Sequence, residues 1–160
     1  MGGYGGALKQ LSIGVASSYG KAYIHGAGVP EDIWTADHNA FLESMADAAG
    51  SVIEYMKGNI LYVNVMKNMS VDCDCCAVAE DPCIADIGIL VSTDPVAIDQ
   101  AAADKVNQAP VLLNSALAET KEHTHDHFHD LHPDTDWKHG LEYAEEIGIG
   151  TREYELVTID

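Results

Sequence analysis

Positive charge is what this chain lacks most: 8 Lys and Arg stand against 26 Asp and Glu, a formal charge of −18. So acidic a surface repels nucleic-acid phosphates and anionic membranes, which argues against both as partners and favours cations, basic partners or simple solubility. Long hydrophobic runs are missing too, and no apolar stretch approaches the roughly 20 residues that cross a bilayer. Met1 is followed by Gly2-Gly3-Tyr4-Gly5-Gly6, with neither the basic segment nor the apolar core of a secretory signal. The expectation is a cytoplasmic chain whose thiols stay reduced. G-x-S-x-G, H-E-x-x-H and EF-hand patterns are absent, and the Gly-rich start lacks P-loop spacing and the strand–GxGxxG–helix context. That start is read as tight backbone packing, with anion binding assisted by Lys9 as the weaker alternative.

What is present is enough for one domain: 160 residues with a hydrophobic fraction of 47%. Phe41, Met45, Ala48, Ala49, Val52 and Met56 recur at three- and four-residue steps, predicting a helix from near Asp37 to near Gly58. Ile60 to Met66 is short and apolar and predicts a buried strand; Asp86 to Ser92 predicts a second. Thr93-Asp94-Pro95 opens a helix, with a capping side chain followed by Pro at the first helical position. Val96, Ile98, Ala101, Ala102 and Val106 form its inward face. A short helix over 141–147 and a final strand over 153–159 follow. Together these predict an α/β fold, a mixed sheet flanked by helices, in a single domain over 1–160. Residues 119–139 form a polar, His-rich loop that holds six of the eight histidines.

All four cysteines fall between positions 73 and 83, in Val71-Asp72-Cys73-Asp74-Cys75-Cys76 and at Cys83. Clustered thiols in a reducing compartment point to metal or redox chemistry rather than structural disulfides. In extended backbone Cys73 and Cys75 share a side, Cys76 faces the other way, and a turn around Pro82 returns Cys83. The spacing matches neither zinc-ribbon pairs nor the common ferredoxin run, so zinc and an iron–sulfur cluster both stay open. Redox-active thiols and inert buried cysteines are the competing readings. His25, in Tyr23-Ile24-His25-Gly26, is the outside candidate for a fourth ligand, although a lone histidine is more often an ordinary hydrogen-bonded residue.

Asp72 and Asp74 raise neighbouring thiol pKa values unless a cation is at hand, which favours a metal there. With Asp94 and Asp99 they are the acid/base candidates, Asp94 doubling as a helix cap. His123, His125, His127 and His129 would line one side of an extended segment or pair at helical steps, either of which chelates zinc, nickel or copper. Solvent-facing histidines are the plainer reading, with metal affinity, if any, falling in mild acid.

The order of motifs resembles a known family. Gly2-Gly3-Tyr4-Gly5-Gly6-Ala7-Leu8-Lys9, Ser12-Ile13-Gly14, Ala16-Ser17-Ser18, Gly20-Lys21 and Ile24-His25-Gly26 are similar to the uncharacterised iron–sulfur centre proteins with domain of unknown function 362. So are Asp72-Cys73-Asp74-Cys75, Asp86 to Leu90, Ser92 to Ala101, Ala144 to Gly150 and Tyr154-Glu155-Leu156. The resemblance spans nearly the whole chain and is most specific from Cys73 to Gln100. It implies an iron–sulfur association. Family members carry a further region ahead of the Gly-rich segment, and many hold a ferredoxin-like insert where this chain has only Gly26 to Ala36. The chain is therefore expected to match the C-terminal portion of the domain, without the insert.

The resulting expectation is a metal or iron–sulfur binding protein, with Cys73, Cys75, Cys76, Cys83 and His25 as ligand candidates and electron transfer to a redox partner as its role. The alternatives are a metal-dependent enzyme with Asp72, Asp74 or Asp99 moving protons, and a non-catalytic subunit that completes a separately encoded N-terminal partner. A homo-oligomer fits the same observations.

Overall fold

A computed structural model describes residues 6–73, 77–78, 80–121 and 123–159. The chain opens with α1 (Ala7–Lys9), which widens into a π-helical turn over Gln10–Gly14. Ser12 turns its hydroxyl back onto Leu8 O at 2.8 Å and Lys9 O at 3.1 Å, occupying carbonyls that the wider turn frees. Ser17 caps α2 (Ser18–His25) by accepting from Gly20 N.

Asp37 caps α3 (His38–Met56), accepting from Ala40 N at 3.0 Å. The helix ends at Lys57, in the left-handed region with φ 52°, just before Gly58. Its buried stripe is Leu42, Met45, Ala46 and Ala49, rotated about one position from the stripe expected through Phe41 and Met56. Phe41 instead stacks on His25 at 5.1 Å between centroids.

Strands β1 (Tyr62–Met66) and β2 (Gly88–Ser92) pair antiparallel, Tyr62 opposite Ser92 and Met66 opposite Gly88. Tyr62, Ile98 and Ala7 form a small core beneath them, with Leu90 and Ile60 against it. Helix α4 (Pro95–Gln108) carries the inward face that its sequence predicts: Val96, Ile98, Ala101, Ala102 and Val106 are all buried. Asp94 Oδ1 accepts from Val96 N at 2.8 Å and Ala97 N at 2.9 Å. Within 119–139 lie α5 (His127–Leu131) and the start of α6 (Trp137–Glu146), which packs on α3. The main core runs from Leu8 through Ala49, Ile84, Val96 and Val106 to Leu117, Phe128 and Leu141.

The α/β class read from the sequence is that of the structure, built among the described residues as six α-helices and one two-stranded antiparallel sheet. Two of the expected strands differ. Ile60–Met66 is buried on one face only, because nothing among the described residues covers the outer face of the sheet. Residues 153–159 alternate like a strand but run exposed and without a strand partner. They follow Gly150, where a Cβ would run into the Asp94 carboxylate and the Val96 side chain, and Thr151 N donates to Asp94 Oδ2 at 3.0 Å. This anchorage directs the segment along α4 rather than onto the sheet. Among the described residues no helix is long and apolar enough to cross a membrane.

One tie on that path has a measurable signature. The Tyr154 hydroxyl donates to Asp104 Oδ2 at 2.8 Å. Burial, and then the Asp104 carboxylate, push its phenol up to about 12. An unfolded tyrosine ionises near about 10, so the tie is intact below that pH and is lost as pH rises through about 12. Tyrosinate absorbance should show a late step in the wild type whose amplitude falls by one tyrosine in Tyr154→Phe, while Tyr62 and Tyr143, whose phenols burial also raises, titrate late in both proteins. An undiminished late step in Tyr154→Phe would contradict the tie.

Candidate functional site

The cysteine segment is the long connection between β1 and β2. Its base is closed by three bonds: Ile87 N to Met66 O at 2.9 Å, Asn68 N to Asp86 Oδ1 at 2.9 Å and Cys83 N to Met69 O at 2.8 Å. Beyond this base the chain turns through Val71 and Asp72 to Cys73. Cys75, Cys76 and Asp74 lie outside the described residues.

Cys73 is half-buried. Lys9 of α1 reaches it, its Nζ donating to Cys73 Sγ at 2.8 Å. Lys9 is placed there by a buried clamp. Asp99 of α4 is fully buried, and its carboxylate accepts from Ala7 N at 2.7 Å, Leu8 N at 2.9 Å and Asn64 Nδ2 at 2.8 Å. The two backbone donors belong to the first turn of α1, whose N–H groups have no helical partner of their own. One carboxylate thus joins α1, β1 and α4 and fixes the direction in which Lys9 leaves α1. An ammonium at hydrogen-bond distance favours a thiolate over a thiol. It also answers the problem posed by Asp72, which is exposed beside Cys73: a positive charge is present where two acidic neighbours would otherwise oppose an anionic sulfur.

On the far side, His132 Nε2 donates to Val71 O at 3.0 Å and so braces the cysteine loop from the His-rich stretch. Neither Lys9 nor His132 was marked by sequence spacing as a neighbour of the cysteines. They lie 64 residues from Cys73 and 61 from Val71.

The other expected ligands are placed differently. Cys83 is fully buried in the main core beside Ile84 and Leu117. Burial pushes its thiol up, with Glu80 adding to the rise, against a lowering contribution from the Leu117 backbone. That is the setting of an inert core thiol. In the folded chain an alkylating reagent should label Cys83 far more slowly than Cys73, and fully only after denaturation. Equal native rates, read by peptide mass spectrometry, would contradict this placement. His25 donates from Nδ1 to Lys21 O at 2.7 Å and stacks on Phe41. These partners lie in α2 and α3, not in the cysteine loop.

Two of the four acid/base candidates, Asp94 and Asp99, are engaged structurally. Asp94 spends one oxygen on the α4 cap and the other on Thr151 N. Asp99 is sealed from solvent. The histidines do not form a row. His125 sits in the left-handed region at φ 66°, which breaks both the extended and the helical alignment. His127 is buried, its Nε2 donating to Ala109 O at 3.1 Å, and its Nδ1 has no partner among the described residues. Among the described residues no group of three or more His, Cys, Asp or Glu is arranged to hold an ion.

An open cleft of about 650 Å³ lies beside this stretch, lined by Asp126, His129, Asp134, Asp136 and Lys138 among others. Asp126 is its anchor. Burial works to raise the Asp126 carboxyl, but the Lys138 ammonium at 3.0 Å, the His129 N–H and the Trp137 indole N–H outweigh it and hold the group below its ordinary value. This ties α5 to α6. The stabilisation is present above the ordinary aspartate range and is lost as pH falls through the lowered folded value.

A family model described as Domain of unknown function (DUF362) matches residues 1–104. That span contains α1 with Lys9, the cysteine loop and Asp99. Searches of curated proteins and of solved structures return no match.

Proposed function

We propose that this chain, which belongs to the DUF362 family, binds a thiophilic metal ion or an iron–sulfur cluster on the β1–β2 loop, through the thiolates of Cys73, Cys75 and Cys76. The observation that carries this reading is the Lys9 ammonium 2.8 Å from Cys73 Sγ. Three thiolates around a divalent ion leave net negative charge, in a chain that is already at −18. A cation donating to one sulfur offsets that charge and orients the ligand, as outer partners of metal ligands do. The donor chemistry fits a soft ion or cluster better than magnesium or calcium, which take oxygen ligands.

Cys83 is left as a core residue in this assignment, because it would have to leave the apolar interior to ligate. His25 stays the outside choice for a fourth ligand. A bound cluster would supply one-electron chemistry to a redox partner; a zinc ion would supply structural closure of the loop. No proton-transfer role is given to Asp94 or Asp99, both engaged in holding the backbone.

Cobalt(II) titration of the reduced chain tests the assignment. Thiolate-to-cobalt charge-transfer absorption should develop in the wild type and be much weaker in Cys73→Ser. The same band at full intensity in Cys73→Ser would sink the role given to Cys73.

A further inference from the structure

Nothing among the described residues covers the outer face of the sheet. Leu61, Val63 and Val65 of the β1 segment are 62%, 52% and 61% exposed, and Ile89 and Val91 of β2 are 65% and 59% exposed. The register sets Val63 opposite Val91 and Val65 opposite Ile89, so these side chains form one contiguous strip. The opposite face, with Tyr62 and Met66, lies in the interior. A strand with one wet face normally alternates apolar and polar, whereas near-continuous apolar strands belong to sheets covered on both sides. Leu61 to Met66 and Gly88 to Ser92 contain no charged residue, although acidic residues outnumber basic ones by 26 to 8 over the whole chain.

We propose that this face joins two copies of the chain, sheet on sheet, about a two-fold axis. Charge opposes a second copy elsewhere on the surface but permits one at this strip. Two molecules of formal charge −18 repel wherever their acidic surfaces meet. Here each presents a strip without charge, and a second copy supplies an equally neutral, β-branched strip by symmetry. The area is sufficient. Five such side chains expose on the order of 500 Å², so a two-fold pair buries on the order of 1,000 Å², the lower bound of a specific interface. Stacked sheets interdigitate at about 10 Å, a spacing that valine and isoleucine side chains fill. The interface is independent of the metal assignment, since none of its residues belongs to the cysteine loop.

Sedimentation velocity on the full chain tests this, with wild type, Val65→Glu/Ile89→Glu, and Trp34→Glu as a control at an exposed apolar side chain outside the strip (90% exposed). Wild type and Trp34→Glu should be dimeric at about 10 μM, and Val65→Glu/Ile89→Glu monomeric with an unchanged circular dichroism spectrum. Dimerisation should tighten as salt screens the acidic surfaces. Should the double variant fail to fold, hydrogen exchange of the wild type decides: amides of 62–66 and 88–92 should gain protection as concentration rises into the dimer range. A wild type that stays monomeric at about 100 μM overturns the proposal and leaves the strip to another polypeptide. A dimer in which those amides gain nothing overturns it as well.

Discussion

Replacing Asp99 by alanine should destabilise the chain by about 3–5 kcal/mol, a large share of the stability of an ordinary domain. The size follows from what the carboxylate holds. Ala7 N, Leu8 N and Asn64 Nδ2 all donate to it in a site sealed from water. Removing the acceptor strands these donors, and each buried donor left unsatisfied costs about 1–3 kcal/mol. Water entering the cavity recovers part of that sum. The midpoint of thermal unfolding should fall by about 10 °C. Asp99→Asn, which keeps one acceptor oxygen but turns an NH2 toward a backbone donor, should lie between wild type and Asp99→Ala. Urea unfolding measures both variants. A loss below about 1 kcal/mol in Asp99→Ala would show that α1 is not held by this clamp.

The second large effect concerns binding rather than folding. Lys9→Met keeps the aliphatic stem and removes the ammonium from Cys73 Sγ. Metal affinity should fall by about 10–100-fold, the usual result of removing an outer partner of a metal ligand. Stability should change by less than about 1 kcal/mol, because a part-buried contact of this kind contributes little to folding. Lys9→Arg, still a cation and a donor, should restore most of the affinity. Competition against a chelator gives the three constants. Equal affinity in wild type and Lys9→Met would separate the lysine from the thiolate site. The two predictions are linked through geometry: Asp99→Ala also frees the turn that aims Lys9, so its metal affinity should drop along with its stability.

Local signals were legible in the sequence, and contacts between distant segments were not. Helix α4 was readable because its start is encoded within five residues. Asp94 caps Val96 N and Ala97 N, and Pro95 has no N–H that needs an acceptor. The positions of β1 and β2 were readable from β-branched composition, but their antiparallel pairing was not, since a long intervening loop leaves direction open. The alternation of 153–159 is real, yet a strand also needs a free edge within reach, and the bonds of Thr151 to Asp94 and of Tyr154 to Asp104 lead the segment elsewhere. Helix α6 begins at Trp137, four residues before the start expected at Leu141, because Asp136 provides a cap that polar surroundings conceal.

The same division holds at the site. The cysteine cluster was conspicuous. That Cys83 belongs to the core was not, because burial is decided by Ile84, Leu117 and the segments around them. Lys9 was visible as a basic residue after a Gly-rich run, and Asp99 as an acidic residue on a helix. Their joint role depends on α1 lying against α4 and β1, and nothing in residue spacing encodes that. His132 lies in the His-rich stretch of the sequence, whereas its bond goes to Val71 of the cysteine loop.

Elemental analysis with an absorption spectrum, on wild type and Cys73→Ala/Cys75→Ala purified without oxygen, tests the central claim most directly. Stoichiometric metal in the wild type and its loss in the variant are the expected result; iron with acid-labile sulfide and visible charge-transfer bands would specify a cluster, and a colourless zinc protein a structural ion. No metal in either protein, or the same metal content in both, would contradict a thiolate site on the β1–β2 loop.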